Sequence, residues 1–253
     1  MSYIKAKKYY AQHFLTDHSI AERIVNSLKS SNYILEIGPG KGILTKYLVN
    51  KNNFYVIEID KDCAKHIQLK YPEIKNNLFI EDFLNFDFNK IPSHRFSIIG
   101  NFPYNISSQI FFKIFGDKNR VNEVVCMLQK EVAQRIVSEP GNKDYGILSV
   151  LLQSYFNIEF LFSVKPGSFY PPPKVNSGVI RLVRNQNKNL DCDEKLFLQV
   201  VKTSFNQRRK ILKNSLKSII DISVQEKIFL KRPEQLHYKD FIYITNLISS
   251  LIK

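Results

Sequence analysis

The chain has 253 residues, of which 44% are apolar and 24% charged, enough to fill one large domain with a small one beside it. Its 37 basic and 23 acidic residues leave a net charge of +14, which favours a polyanionic partner through phosphate contacts and counterion release. Three dispersed cysteines without CxxC or histidines at ligand spacing argue against a disulfide framework and a metal site, and the lack of a leader or of any run near the ~18 apolar residues of a membrane span leads to the expectation of a cytoplasmic protein.

In chain order, Asp17 is expected to cap a helix whose apolar face is Ile20, Ala21, Ile24, Val25 and Leu28. Residues 33–37 read as a buried strand, followed by a Gly-rich turn and a helix over 42–49. Further strands are expected at 54–59 (FYVIEI), 78–80, 96–100 and 124–128, with 158–164 and 178–183 as a closing antiparallel pair. This alternation predicts an α/β chain with a parallel sheet and helices on both faces, and such sheets bind ligands at the carboxyl ends of their strands. After Val183 the stretch RNQNKNLDCDE is polar, and the remainder of the chain has helical periodicity without a convincing strand. Two domains are therefore expected, a ligand-binding catalytic domain over 1–185 and a small all-helical one over 186–253.

The stretch Glu36-Ile37-Gly38-Pro39-Gly40-Lys41-Gly42 follows the first strand of that sheet. Glycines there let the backbone turn sharply and approach a ligand without a Cβ clash. The spacing is GxGxG, whereas the nicotinamide fingerprint is GxGxxG. Glu58 closes the next strand, where a carboxylate can accept both hydroxyls of a ribose. Asp82 follows the third, where it can accept from an adenine amino group. An NAD site would also use the first acid; Asp82 and the glycine spacing favour S-adenosylmethionine as the cofactor, with Gly38, Gly40, Glu58 and Asp82 as its contacts.

Asn101-Phe102-Pro103-Tyr104 lies at the end of the fourth strand, on the same sheet edge. The exocyclic amine of adenine is a poor nucleophile because its lone pair is delocalised into the ring. Two acceptors on its N–H bonds would favour pyramidal nitrogen and aim the lone pair at a methyl group. The Asn101 side-chain oxygen and the Phe102 main-chain carbonyl can supply them, while Pro103 stiffens the turn and Tyr104 offers a face for a flipped-out base. Such a site works by positioning and electrostatics, without a strong general base.

QHFLTD (12–17), EIGPGKGILT (36–45), VIEID (56–60), GNFPYNIS (100–107), MLQKEVAQRI (127–136), YGILSVLLQSYF (145–156), FYPPPKVNSGVIRL (169–182) and FNQRRKILKNSL (205–216) occur in that order. The set resembles the ribosomal small-subunit (16S) RNA adenine dimethyltransferases. The resemblance implies a Rossmann-like S-adenosylmethionine-dependent methyltransferase sheet with a small C-terminal all-helical domain. It also implies transfer of four methyl groups to the N6 atoms of two adjacent adenines near the rRNA 3′ end, in the immature small subunit, by a monomer. It carries cofactor contacts onto Leu15, Gly38, Glu58, Asp82 and Asn101, and base-clamping aromatics onto Tyr104 and Phe169, the latter ahead of Pro171-Pro172-Pro173. Two positions depart from the family's pattern. His13 stands where Asn is usual, and since a neutral imidazole can still donate or accept one hydrogen bond it is expected to keep the contact with the methionine part of the cofactor; Phe102 stands where Leu is usual. Related large-subunit methyltransferases share the glycine, acid and NxPY motifs, but FxPPPKV and FNQRRK resemble the small-subunit family more closely. An assembly factor that keeps the fold and does little chemistry is the rival from another class.

Residues 202–217 carry Lys202, Arg208, Arg209, Lys210, Lys213 and Lys217 with no acid, and Leu212 and Leu216 mark an apolar stripe. The stretch reads as one basic amphipathic helix for rRNA backbone contact, with membrane binding disfavoured for want of an aromatic anchor. Lys5, Lys7 and Lys8 are expected to add to it.

Overall fold

Ile34, Leu35, Glu36 and Ile37 form an almost unbroken apolar run, the pattern of a strand covered on both faces. In the computed structural model, which describes residues 4–30, 32–187, 189–220 and 226–252, all four are buried. The strands are β1 (Phe14–Leu15), β2 (Ile34–Ile37), β3 (Phe54–Ile57), β4 (Leu78–Phe79), β5 (Phe96–Asn101), β6 (Val121–Gln129), β7 (Phe156–Val164), β8 (Phe169–Tyr170) and β9 (Ser177–Arg184). The helices are α1 (His18–Asn26), α2 (Thr45–Leu48), α3 (Lys61–Lys70), α4 (Ser107–Gly116), α5 (Lys130–Val137), α6 (Ile147–Gln153), α7 (Glu194–Asn206), α8 (Leu212–Ser215) and α9 (Tyr238–Ile252).

Seven strands form one sheet in the order β4-β3-β2-β5-β6-β9-β7. The pairs from β4 to β6 are parallel, and β9 runs antiparallel to β6. The chain runs outward from β2 through β3 to β4, then returns to β5 on the other side of β2. That reversal opens a crevice at the carboxyl ends of β2 and β5. The expected α/β class with a mostly parallel sheet is what the chain forms. Asp17 caps α1 through its side chain, accepting from the amides of Ser19 and Ile20, and Ala21 and Ile24 of that helix are fully buried.

Three expectations need correction. The helix expected over 42–49 spans only Thr45–Leu48, because Gly42 takes φ +77°, a left-handed turn in which a right-handed helix cannot begin. Residues 202–217 are not one helix. α7 ends at Asn206 and α8 starts at Leu212, since no apolar side chain between Phe205 and Ile211 can repay the ordering of that turn. Finally, the single boundary at 185 does not describe how the chain divides. One compact unit comprises residues up to Ala133 with Ile158–Arg184, and the other Gln134–Asn157 with the chain from Asn185 onward. Segment 134–157 joins the second unit through aromatics: the buried Tyr145 ring lies 6.2 Å from the half-buried Phe205, which lies 5.9 Å from the buried Phe241. A linear reading cannot see an excursion between β6 and β7 that packs with helices much later in the chain. Within the second unit, no described residue from Asn185 onward is in a strand.

The antiparallel ribbon of β1 and β8 was not expected. Two residues per strand are too short for any periodicity to show.

Candidate active site

The Gly-rich turn comes first, because it shapes the floor of the crevice. Gly38 and Gly40 take φ +64° and +55°, in the left-handed region that side chains avoid. A Cβ on Gly40 would lie 2.8 Å from the Phe14 ring, so the turn and the β1 segment close on each other only because this residue is glycine. Gly40 N–H then donates to Oε2 of Glu58 at 3.2 Å, and Asp60 N–H donates to Oε1 at 2.9 Å. Glu58 is thus aimed by main-chain groups from both sides, one residue past β3. Burial pushes its pKa up to about 6, against these two bonds, which favour the carboxylate.

Glu36 sits deeper on β2 and had no role in the sequence reading. Thr45 Oγ1 donates to its Oε2 at 2.7 Å, and its burial is nearly complete. Burial, helped by the charge of Glu58, pushes its pKa up to about 8, so at neutral pH the group is mostly protonated. Its only sequence signal is an acid inside a buried strand. Because the folded pKa lies above the unfolded value, folding takes up a proton, and the stability gained is lost as pH rises from about 4.5 through about 8. Glu36→Gln is therefore expected to melt higher than the parent at pH 9 and to narrow the gap at pH 5. Thermal melts of the two proteins across that range check this, and parallel curves would contradict it.

Asp82 follows β4 and caps a short turn, with Oδ1 accepting from Leu84 N–H at 2.9 Å. Across the crevice Asn101 ends β5. Its Nδ2 donates to the main-chain carbonyl of His13 at 2.9 Å, and its Oδ1 is buried without a hydrogen-bond partner. A buried acceptor left unmet costs about 1–3 kcal/mol, and a donor that reached Oδ1 would recover that cost. Phe102 N–H donates to the Met127 carbonyl at 2.9 Å, and its ring is buried edge-on to Phe111 at 5.8 Å. Tyr104 bonds through its hydroxyl to Ser177 Oγ, and burial raises its pKa.

These groups line one cavity of about 340 Å³, the size of a small-molecule site, whose walls include His13, Leu15, Gly38, Gly40, Glu58, Asp82 and the Asn101–Tyr104 turn. Phe169 is the exception. It pairs with Leu15 across β1 and β8, but its side chain is 4% exposed and packs in the core beside Leu15 and Val179. Successive strand residues face opposite ways, so the aromatic left outside on β8 is Tyr170, 53% exposed. A base sandwich of Tyr104 and Phe169 is not formed in this structure.

The acid–glycine–acid edge, the orphaned amide oxygen and the doubly wound sheet are what a nucleoside-bearing methyl donor and an amine acceptor would need together. The comparisons with known proteins agree. The family described as ribosomal RNA adenine dimethylase matches residues 3–252. The chain belongs to the ribosomal RNA adenine dimethylase family. Among curated relatives of this dimethylase, ribosomal RNA small subunit methyltransferase A of Flavobacterium johnsoniae is 48% identical, covering 99% of this chain and 98% of that one. Its counterpart in Porphyromonas gingivalis is 49% identical, covering 98% and 99%. Among solved structures, a dimethyladenosine transferase from Plasmodium falciparum shares the fold, with TM-score 0.79 at 24% identity over 94% of this chain and 98% of that one. The 23S rRNA methyltransferase ErmE matches with TM-score 0.63 at 25% identity over 92% and 99%. As a member of this family the dimethylase is an S-adenosylmethionine-dependent rRNA adenine methyltransferase, and the crevice fits that donor, having a turn that a Cβ would fill and an aimed carboxylate beside it.

The rim residues of the dimethylase were only partly foreseen. Gln12 Nε2 donates to Asp60 Oδ2 at 2.8 Å, and Lys7 Nζ lies 2.6 Å from Asp60 Oδ1 and 2.7 Å from Asp62 Oδ2. Lys7 was expected to face rRNA, but it is engaged by these two acids, partners more than fifty residues away that no local pattern announces. In the helical unit Lys202, Arg209, Lys210 and Lys213 are exposed, on α7, the following turn and α8. Arg208 is half-buried, with a guanidinium nitrogen donating to the Asn142 carbonyl at 3.4 Å and another 3.9 Å from Glu234. Among the described residues no helix is long and apolar enough to cross a membrane.

Proposed function

We propose that this dimethylase transfers four methyl groups to the N6 atoms of two adjacent adenines near the 3′ end of small-subunit (16S) rRNA. It acts as a monomer in the cytoplasm, on the immature subunit. The observation that carries the reading is the buried, unpartnered Oδ1 of Asn101 at the carboxyl edge of β5, in one cavity with Glu58 and Asp82. The curated relatives bear the small-subunit name at 48% and 49% identity, which favours that RNA over the large-subunit one.

S-adenosylmethionine, when bound, supplies a methyl group already activated by a sulfonium. Glu58 holds the ribose hydroxyls with the lone pairs its main-chain bonds leave over, Asp82 takes the adenine amino group, and Gly38, Gly40 and Leu15 shape the floor and wall. At the acceptor side Asn101 Oδ1 and the Phe102 carbonyl take the two N–H bonds of the target amine and turn its lone pair toward the donor. Pro103 keeps the turn rigid, and the Tyr104 ring supports the flipped base. The nitrogen passes its spare proton to water, so the residues contribute position and electrostatics.

Lys202, Arg209, Lys210 and Lys213 are assigned to rRNA phosphates, with Arg208 holding their turn. Arg209→Ala and Lys210→Ala are each expected to weaken RNA binding and to reduce the slope of log K against log salt by about 1. Filter binding over a salt series measures this, and an unchanged slope would remove the residue from the interface. The activity is tested by incubating the enzyme and labelled donor separately with undermethylated small and large subunits and digesting the RNA. Dimethyladenosine from the small subunit is expected. Label confined to the large subunit overturns the reading, and tight binding without label favours an assembly factor.

A further inference from the structure

Tyr170 stands across from Phe14 in the two-residue ladder of β1 and β8, and directly paired residues of an antiparallel ladder share a face. A cation sits against both. The Lys41 ammonium lies 5.0 Å from the centre of the Phe14 ring and 5.6 Å from that of Tyr170. Phe14 is buried, whereas Tyr170 is 53% exposed. A ring held by a cation loses little further freedom when a base stacks on it. Lys41 also lines the cavity, between Gly40 and Gly42, so this ring stands at the edge of the donor site. The carbonyl of the next residue, Pro171, lies 2.8 Å from His13 Nδ1, and the His13 ring is 5.5 Å from that of Tyr104 in the acceptor turn.

Positive charge continues beyond Lys41. Lys70 Nζ donates to the Lys41 main-chain carbonyl at 3.3 Å. Burial first, and then the charge of Lys46, hold the Lys70 ammonium below its ordinary pKa. His66, one turn earlier on α3, is lowered by burial and then by the charge of Lys70. Lys46 and Lys70 are exposed, and no carboxylate among the described residues is paired with either. Like charges gathered in this way repel, a cost that a polyanion removes.

We infer that Tyr170 and Lys41, with Lys46 and Lys70 behind them, form a platform for the nucleotide next to the flipped adenine. The Tyr170 ring stacks on its base, and the ammonium groups take the phosphates of the strand that follows. Flipping a base out of its stack exposes the face of its neighbour, which needs a new partner. On the small-subunit reading, on which this inference rests, the other target adenine is such a neighbour. The two adenines enter the pocket in turn, so the base on any one side of the pocket changes identity between rounds. An aromatic face interleaved with basic groups holds a single strand whatever its base, because every base offers a π face. A hydrogen-bonding pocket in the same place would suit one of the two rounds only.

The full-length protein and its Tyr170→Ala, Tyr170→Phe, Lys41→Ala and Lys46→Ala variants are assayed for methyl transfer to undermethylated small subunits. Filter binding to protein-free RNA of the 16S 3′ end is followed over a salt series, and affinity for S-adenosylhomocysteine is measured by calorimetry. A parent protein that labels no small-subunit RNA sinks the underlying reading. With an active parent, Tyr170→Ala is expected to lose about tenfold in RNA affinity and in kcat/KM at an unchanged salt slope, since stacking releases no counterions. Tyr170→Phe keeps the ring face and is expected to stay within about twofold of the parent. Lys41→Ala and Lys46→Ala are each expected to reduce the slope of log K against log salt by about 0.7. Full RNA affinity of Tyr170→Ala overturns the inference, as do unchanged slopes in both lysine variants. So does a phenylalanine variant as poor as the alanine one, which would make the hydroxyl the working group. A loss of cofactor-product affinity in Tyr170→Ala that matches its loss of kcat/KM places the ring on the methyl donor and overturns the inference. A loss seen with intact subunits and absent on protein-free RNA places the ring on a ribosomal protein, with the same consequence. Should the alanine variant fold poorly, Tyr170→Leu, which keeps an apolar side chain without a π face, is compared with Tyr170→Phe, and equal RNA affinities for that pair overturn the inference.

Discussion

Asn101→Ala is expected to lower kcat for methyl transfer by on the order of 10²- to 10³-fold, the loss seen when a preorganised polar group at a reacting centre is removed. Affinity for the methyl donor should fall much less. The reason is geometric. The side chain ends β5 at the carboxyl edge of the sheet, its Nδ2 is engaged by the His13 carbonyl, and its Oδ1 is buried with no partner. An acceptor in that state has been desolvated in advance, so a target N–H that meets it regains a bond without displacing a competitor. Alanine removes the unmet acceptor and its penalty together with the Nδ2 bond to the His13 carbonyl, two changes of opposite sign, so the melting temperature should change little even as turnover collapses. Single-turnover rates with saturating donor, together with calorimetric affinities, measure the two effects separately. Turnover near that of the parent would mean that Asn101 does not hold the amine.

Glu58→Ala is expected to weaken binding of the methyl donor by on the order of 10²-fold, since a buried carboxylate accepting two hydroxyls makes charge-assisted bonds of about 1.5–3 kcal/mol each. Glu58→Gln should be nearly as damaging. Both oxygens already accept a main-chain N–H, from Gly40 and from Asp60, so an amide must turn its NH₂ toward one of those donors. The parent protein should also bind less tightly as pH falls through about 6, because protonation of this carboxyl, raised by burial, removes acceptor capacity. The alanine variant should lack that step. Calorimetry from pH 5 to pH 8 checks both expectations, and a Gln variant that binds as the parent does would remove Glu58 from the ribose site.

Much of the catalytic edge was legible from residue order alone. Apolar runs at 34–37, 54–57 and 96–101 are short-range statements about burial on both faces, and the turn chemistry of Gly38 and Gly40 is equally local. An acid, a glycine turn, a second acid and NxPY, in that order after successive strands, can meet only at one edge once the sheet is parallel. Local patterns therefore determined the class of fold, the methyl donor and most of the residues that line the cavity.

What the pattern left open involves partners far apart in sequence. His13 reads as a departure from an asparagine, and the fold brings its δ nitrogen to 2.8 Å from the Pro171 carbonyl, 158 residues away in sequence. Phe169 reads as a clamp until strand alternation turns it into the core and leaves Tyr170 outside. Lys7 reads as a free charge until Asp60 and Asp62 take it. Segment 134–157 reads as part of the first domain until Tyr145 packs with Phe205 in the second unit. In each case the side chain states what it can bond or bury. Which partner it meets depends on register and packing across the whole chain, and that only the tertiary structure decided.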